Sequence, residues 1–280
     1  MPDREIEKEL FFRSLKDFAG TLADKITLSG EWNIRGFIDI FRNVYALSSD
    51  TKVISKVLEI HLLPELLRFA YTIGYDIEPA EKQNWYPDFT FTCRNNADIK
   101  FAVDLKTTYR DEEHPCFCNG FTLGSHGEYF IDRASSKNVQ YSYGCYSGHF
   151  CLGIIYSRNV SAYYDSKIYP VNEIGNIPAV IRDFIFFAAE KWRIASDKSG
   201  SGNTANIGSI QYIDDILTGN GVFAKAGEEF FNDYWINFGR IIIPYADGKY
   251  KRLSSFSEYL RYRGLPESLN NPRKSKRAGL

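Results

Sequence analysis

The sequence predicts an α/β (α+β) protein, a mixed β-sheet core flanked by helices. Three observations carry that expectation. β-rich runs cluster in the middle of the chain, at residues 85–92, 99–108 and 150–156. Segments with a helical apolar rhythm lie on both sides of that cluster. No internal repeat or low-complexity block divides the 280 residues. Strands bracketed by helices without a compositional break imply one continuous unit.

Each element follows from its residues. From Glu5 to Ile26, apolar side chains recur at Ile6, Leu10, Phe11, Leu15, Phe18 and Leu22, the three-to-four spacing of one helix face. Asp50 is placed to cap a second helix running through Val53, Val57, Leu58, Ile60 and Leu62, with Pro64 within it or at its end. Trp85–Thr92 and Ile99–Thr108 read as an antiparallel hairpin around the turn residues Arg94-Asn95-Asn96-Ala97-Asp98. Phe150–Tyr156 is a third, wholly apolar strand. Pro178–Ala195 is expected to be helical, with Pro near its start. Gly200–Ser209 is a Gly/Ser/Asn loop, and Glu228–Phe238 and Ser254–Arg263 close the chain as helices.

Composition excludes several classes. With 44% hydrophobic and 25% charged residues, the chain has the balance of a globular domain rather than of a disordered one. It lacks the run of about 18 apolar residues that a membrane span requires, so no membrane association is expected. The first eight residues are too charged for a secretory leader. Five cysteines at irregular spacing read as free thiols of a cytoplasmic protein. His114, Cys116 and Cys118 lack a second ligand pair at zinc spacing.

The net charge of −1 conceals an asymmetry. From Arg240 onward, ten Lys/Arg face three acids. That surplus of seven positive charges suggests a surface for a polyanion.

The residues most suited to chemistry sit on the hairpin. Alternation along a strand puts Asp104 and Lys106 on one face, and pairing in the hairpin can bring Asp88 beside Asp104. Two close carboxylates repel, and a hard divalent cation such as Mg²⁺ relieves that repulsion. Phosphodiester hydrolysis needs such a cation and a nearby group to stabilise charge or orient water, which Lys106 could supply. The setting Phe101-Ala102-Val103-Asp104-Leu105-Lys106 is otherwise apolar, and charges in such a strand are costly unless paired. Glu59, on the preceding helix between Leu58 and Ile60, is a third available acid.

Pro87-Asp88 followed by Asp104-Leu105-Lys106 resembles the signature of the PD…(D/E)xK nucleases. The likeness narrows to the type II restriction endonucleases of that superfamily through Ser49–Val53, Gln83-Asn84, Tyr86–Thr90, Val103–Tyr109 and Phe121–Gly124. It continues through Lys137-Asn138, Lys191-Trp192, Gly200–Ser209 and Asp233–Trp235. It spans roughly residues 45 to 263.

The resemblance implies a restriction-endonuclease-like fold and a bacterial cytoplasmic enzyme. It implies a homodimer that clasps double-stranded DNA and cuts both strands with Mg²⁺, for which Mn²⁺ may substitute. The expected substrate is a short palindrome, GATATC or a close relative, cut bluntly at its centre to leave 5′-phosphates. A cognate DNA methyltransferase is implied as a functional, not physical, partner.

By resemblance, Asp88, Asp104 and Glu59 hold metal and Lys106 lies beside the attacking water. Gly200, Ser201, Gly202, Asn203, Thr204 and Ala205 read base edges in the major groove. Asn203 can offer adenine a donor and an acceptor, and Thr204 can touch a thymine methyl. Lys82, Gln83 and Asn84 follow the minor groove, and Thr51, Thr107, Lys137 and Arg240 meet the backbone. The single domain, 1–280, is expected to comprise dimerisation elements to about 75, a catalytic core to about 264 and a basic, flexible tail from about 265.

The chain departs from the pattern at Ala205, where the family has Thr, and at Lys82, where it has Gln. Residues 110–135 and 240–254 diverge further, the first helix is longer, and the tail is additional. Two other readings are a DNA-binding module descended from such a nuclease and a structure-directed repair nuclease. The retained carboxylates and Lys106 disfavour the first, and the Gly200–Ser209 loop disfavours the second.

Overall fold

The computed structural model describes residues 2–159, 167–200, 205–244 and 249–276. Its centre is a seven-stranded sheet. Across it run Thr27–Leu28, Glu31–Trp32, Ile181–Glu190, Gly148–Arg158, Asn96–Tyr109, Phe89–Cys93 and Tyr75–Pro79. Asn96–Tyr109 and Gly148–Arg158 are parallel. The other neighbours are antiparallel, so the sheet is mixed, as expected. No described helix is long and apolar enough to cross a membrane.

Alternation divides the sheet into two faces. Phe89, Phe91, Phe101, Val103, Leu105, Phe150, Leu152 and Ile154 point to one core. The first helix, Pro2–Ile26, and the second, Thr51–Thr72, cover it. Phe11, Leu15, Phe18 and Leu22 are buried there as the rhythm predicts, while Ile6 and Leu10 remain exposed. Asp50 caps the second helix by accepting from the amides of Lys52 and Val53 at 2.9 and 3.1 Å. Pro64 lies inside that helix.

The opposite face, with Ala102, Cys151, Phe187 and Ala189, packs into a second core rich in aromatics. The helices Glu228–Asn237 and Phe256–Arg263 contribute to this core. So does a small sheet of Ala195–Ser199, Asn206–Ser209 and Thr122–Ser125. The end of the expected Gly200–Ser209 loop is therefore a strand. A third sheet, Gly36–Ile38, Asn43–Ala46 and Ile168–Pro170, stands apart from both cores.

One element differs in kind. The expected helix Pro178–Ala195 is the strand Ile181–Glu190 followed by a single 3₁₀ turn, Lys191–Arg193. Its end is buried on both faces: Ala188 belongs to the first core, Phe187 and Ala189 to the second. A strand buried on both faces shows no period of two, so periodicity cannot separate it from a helix. The aromatic and β-branched run Phe184-Ile185-Phe186-Phe187 is the cue that favours the strand.

Gly153 is fixed by that strand. Phe187 is its register partner, and a Cβ on Gly153 would fall 2.1 Å from Phe187 Cζ. The ring thus fills the space a side chain would take, beside Lys106, whose partner across the parallel pair is also Gly153. Gly153→Ala should overpack this spot and destabilise the fold by about 1–3 kcal/mol. In urea unfolding that appears as a lower midpoint at unchanged slope; an unshifted midpoint would show that the ring can move aside.

Candidate active site

The hairpin register builds the site. Phe89 pairs with Val103, so the preceding residue, Asp88, falls opposite Asp104. The two are knitted through the backbone: the Asp88 amide donates to Asp104 Oδ1 at 3.1 Å, and the Leu105 amide donates to Asp88 Oδ2 at 2.9 Å. Lys106, two residues beyond Asp104 on the same face, places Nζ 3.3 Å from Asp88 Oδ2 and 3.2 Å from Asp104 Oδ2. One ammonium bridges two carboxylates.

The electrostatics follow from crowding. Asp104 is almost fully buried, whereas about a third of the Asp88 side chain faces the cleft. Loss of hydration raises the Asp88 pKa; Lys106 opposes that and Asp104 adds to it. For Lys106, burial acts to lower the pKa, but Asp104 and Asp88 outweigh it and hold the ammonium above its usual value. The cluster therefore keeps a cation between two acids.

These groups open onto a cleft of about 710 Å³. Behind them stands an aromatic wall. Tyr86, Tyr129 and Tyr143 stack at 5.6–5.8 Å between ring centres. The Tyr86 hydroxyl shares a 2.8 Å hydrogen bond with His149 Nδ1. Burial first, then Lys191 and Arg133, push His149 below its ordinary pKa, so its ring is neutral. Lys191 lies within the wall. Its Nζ is buried without a hydrogen-bond partner and sits 4.8, 5.3 and 5.5 Å from the rings of Tyr86, Tyr143 and Phe130. Gly124, at φ +85°, leaves room for it; a Cβ there would sit 3.3 Å from that Nζ.

A hairpin carrying Asp88, Asp104 and Lys106 on a mixed sheet is the core of one nuclease architecture, and the match is specific. The EcoRV restriction endonuclease family matches residues 28–264. The chain belongs to this family. The type II restriction enzyme EcoRV of Escherichia coli is 35% identical to it over 235 residues, 84% of this chain and 93% of that enzyme. Membership makes the protein a type II site-specific deoxyribonuclease that acts on double-stranded DNA, within a family of metal-dependent nucleases.

The EcoRV-family fold gathers many of the sequence-predicted residues. Thr51, Glu59, Gln83, Asn84, Thr107 and Lys137 line the cleft with Asp88, Asp104 and Lys106. Glu59 is not drawn into the aspartate pair: its carboxylate is held by Lys56 at 2.7 Å. Among the described residues no group of three or more metal-ligating side chains forms. Lys137 pairs with Glu128 at 2.6 Å, and Lys82 lies 4.6 Å over the Trp85 ring. Arg240 is exposed beyond the helix Glu228–Asn237, away from the cleft lining.

Ser201, Gly202, Asn203 and Thr204 lie outside the described residues. The roots of their segment are tied: the Gly200 amide donates to Asn206 O at 2.8 Å, and the His126 amide to Ala205 O at 2.8 Å.

Sequence reasoning missed the wall. Lys191 was visible only as one of a pair, Lys191-Trp192, in the stretches shared with the family. His149 gave no signal, because a lone histidine next to an apolar strand is ordinary.

Burial alone takes Lys191 far below its ordinary 10.5; with Lys106 and Arg133 adding to this and Asp104 opposing, the amine is pushed down to about 7. Between those values the unfolded chain binds a proton that the folded one does not, so stability rises with pH across that window. Below it both states are charged and the full penalty applies. Lys191→Met should therefore stabilise the protein at pH 7 by about 1–3 kcal/mol, and the gain should shrink toward pH 10. Thermal unfolding at several pH values checks this; a gain independent of pH would mean that Lys191 stays charged or finds a partner.

Proposed function

We propose that this protein is a Mg²⁺-dependent restriction endonuclease that works as a homodimer. In this reading it cuts a short palindrome, GATATC or a close relative, at its centre to leave blunt 5′-phosphate ends. The observation that carries the reading is the bridging of Asp88 and Asp104 by Lys106 at the floor of the cleft.

The donor set fits the cation. Mg²⁺ is commonly held by one or two carboxylates, with waters and substrate phosphate oxygens completing its shell, and Asp88 and Asp104 are hard oxygen donors open to the cleft on one side. Mn²⁺ suits the same donors. A bound cation there supplies Lewis-acid polarisation of the phosphoryl oxygen.

The chain's own groups supply the rest. The backbone bonds between Asp88, Asp104 and Leu105 fix both carboxylates before substrate arrives. Lys106 Nζ, released from one carboxylate, is placed to orient the attacking water and to stabilise charge on the phosphate. Glu59 is the auxiliary acid and would have to leave Lys56 to serve. Gly200 to Ala205 read the major groove. Lys82, Gln83 and Asn84 follow the minor groove, and Thr51, Thr107, Lys137 and Arg240 meet phosphates. A cognate methyltransferase would protect host DNA by modifying the same site.

The homodimer is supported by an apolar surface. The third sheet and its turns leave Phe37, Ile38, Ile40, Phe41, Ile168 and Ile174 exposed. Exposed apolar side chains gathered on one small sheet and its turns suit an interface, and most of them lie in the N-terminal elements, to about residue 75, assigned to dimerisation. A palindromic site is met by a two-fold protein.

Incubation of plasmid with protein and Mg²⁺ should give discrete fragments, and run-off sequencing should place both strand ends at the centre of the site. Asp88→Ala, Asp104→Ala and Lys106→Ala should each abolish most cleavage with the fold retained. The Lys106 change should cost roughly 2.7–4 kcal/mol of transition-state stabilisation. Near wild-type cutting by any of the three at saturating Mg²⁺ would refute the site assignment. Asn203→Ala should lose cleavage at the preferred site while keeping weak binding to any DNA, since base contacts specify and phosphate contacts supply nonspecific affinity. Sedimentation should show a dimer without DNA; a monomer that only nicks would remove the two-fold reading.

A further inference from the structure

Residues 265–276 lie beyond the family match, which ends at 264, yet they are docked on the body. The Asn271 side chain donates to Asn220 O at 2.7 Å and to Gly221 O at 3.1 Å. Lys274 Nζ is 3.0 Å from Asp215 Oδ1, and Lys276 pairs with Asp111. Arg273 Nε is 2.9 Å from Asp197 Oδ1.

Asp197, like Asp215, is buried; what sets the Arg273 contact apart is where Asp197 lies. It sits on the strand Ala195–Ser199, just before Gly200. Its Oδ2 accepts from the Phe256 amide at 3.2 Å, and its carbonyl accepts from the Tyr234 hydroxyl at 2.7 Å. Two helices and the residue-273 arm thus converge on one residue at the root of the 200–205 segment. Arg273 and Lys274 also line a cavity of about 310 Å³ together with Asn119, Gly120, Gly200 and Gly208. Asn119 and Gly120 belong to the catalytic cleft as well. The arm therefore shares one cavity with Gly200, where the segment begins, and with Asn119 and Gly120 of the cleft wall.

We propose that residues 265–276 form a strap that fixes the root of the base-reading segment, with Arg273 as a positioning residue for sequence selectivity; this rests on the reading of residues 200–205 given above. A buried carboxylate that loses its cation becomes an uncompensated charge. The strand carrying it must shift or admit water, and Gly200, where the base-reading segment begins, shifts with it. Arg273 acts through Asp197, without touching substrate.

The test uses the full chain with Arg273→Gln, Arg273→Ala and Arg273→Lys. The kcat and KM are measured at the preferred site and at single-base variants, at one salt concentration, with thermal unfolding in parallel. Arg273→Gln should lower the preferred-to-variant ratio of kcat/KM by roughly tenfold or more, mainly through kcat at the preferred site, because docking of the segment is coupled to assembly of the catalytic groups. Arg273→Lys should restore most of the ratio. Should Arg273→Ala fail to fold, the Gln and Lys variants carry the same comparison.

Three results would overturn the proposal. An unchanged ratio in the Gln variant, with discrete wild-type fragments, removes the strap and leaves the proposed function intact. An equal loss on every DNA with a shallower salt dependence makes Arg273 a phosphate contact instead. A smear from the wild-type enzyme removes the base-reading assignment, and the strap's role falls with it.

Discussion

The site depends on one register. With Phe89 opposite Val103, Asp88 meets Asp104, and the amides of Asp88 and Leu105 are spent on the two carboxylates. A slip of one residue would turn Asp104 and Lys106 into the apolar core and expose Val103 and Leu105. The core therefore enforces the candidate site: the burial of Phe101, Val103 and Leu105 on one face compels the charged residues onto the other. Chemistry and stability are coupled through the two-residue period of a strand.

The far side of that face shows how the charges are tolerated. Asp104, Lys191 and His149 are all buried, and each is handled differently. Asp104 is paired with Lys106 and the Asp88 amide. His149 is neutral and bonded to Tyr86. Lys191 has only ring faces around it, a weak substitute for a hydrogen-bond acceptor. Stability is given up at Lys191, while Tyr86, which its amine faces, adjoins Pro87-Asp88.

Much of this was legible in the chain. The hairpin, both N-terminal helices and the last two helices follow from periodicity and capping. The hairpin alternation also exposed Asp88, Asp104 and Lys106. The strand Ile181–Glu190 was not legible, since burial on both faces erases the period that distinguishes strand from helix. The fate of Glu59 was hidden for another reason: whether its carboxylate turns to the cleft or to Lys56 is a rotamer choice that spacing does not encode. The contacts of Arg273, Lys274 and Lys276 were hidden too, because their partners Asp197, Asp215 and Asp111 are 59 to 165 residues away in the chain.

Those contacts change the meaning of the charge asymmetry. The basic surplus after residue 240 suggested an open surface for a polyanion, but much of it is already neutralised. Beyond the strap, Arg263 pairs with Asp233, while Lys251 and Arg261 pair with Glu258 and Glu267, acids of the same segment. The cleft itself has the opposite balance: Glu59, Asp88, Asp104 and Glu128 face Lys106 and Lys137 among its described lining residues, four acids against two lysines, a formal charge of −2. A polyanion entering such a cleft meets repulsion at the point where its phosphate must come closest. One divalent cation would bring that balance to zero. The acidic pair at the floor of the cleft is thus also what opposes a polyanion there, and a divalent cation held between the two carboxylates would relieve that opposition.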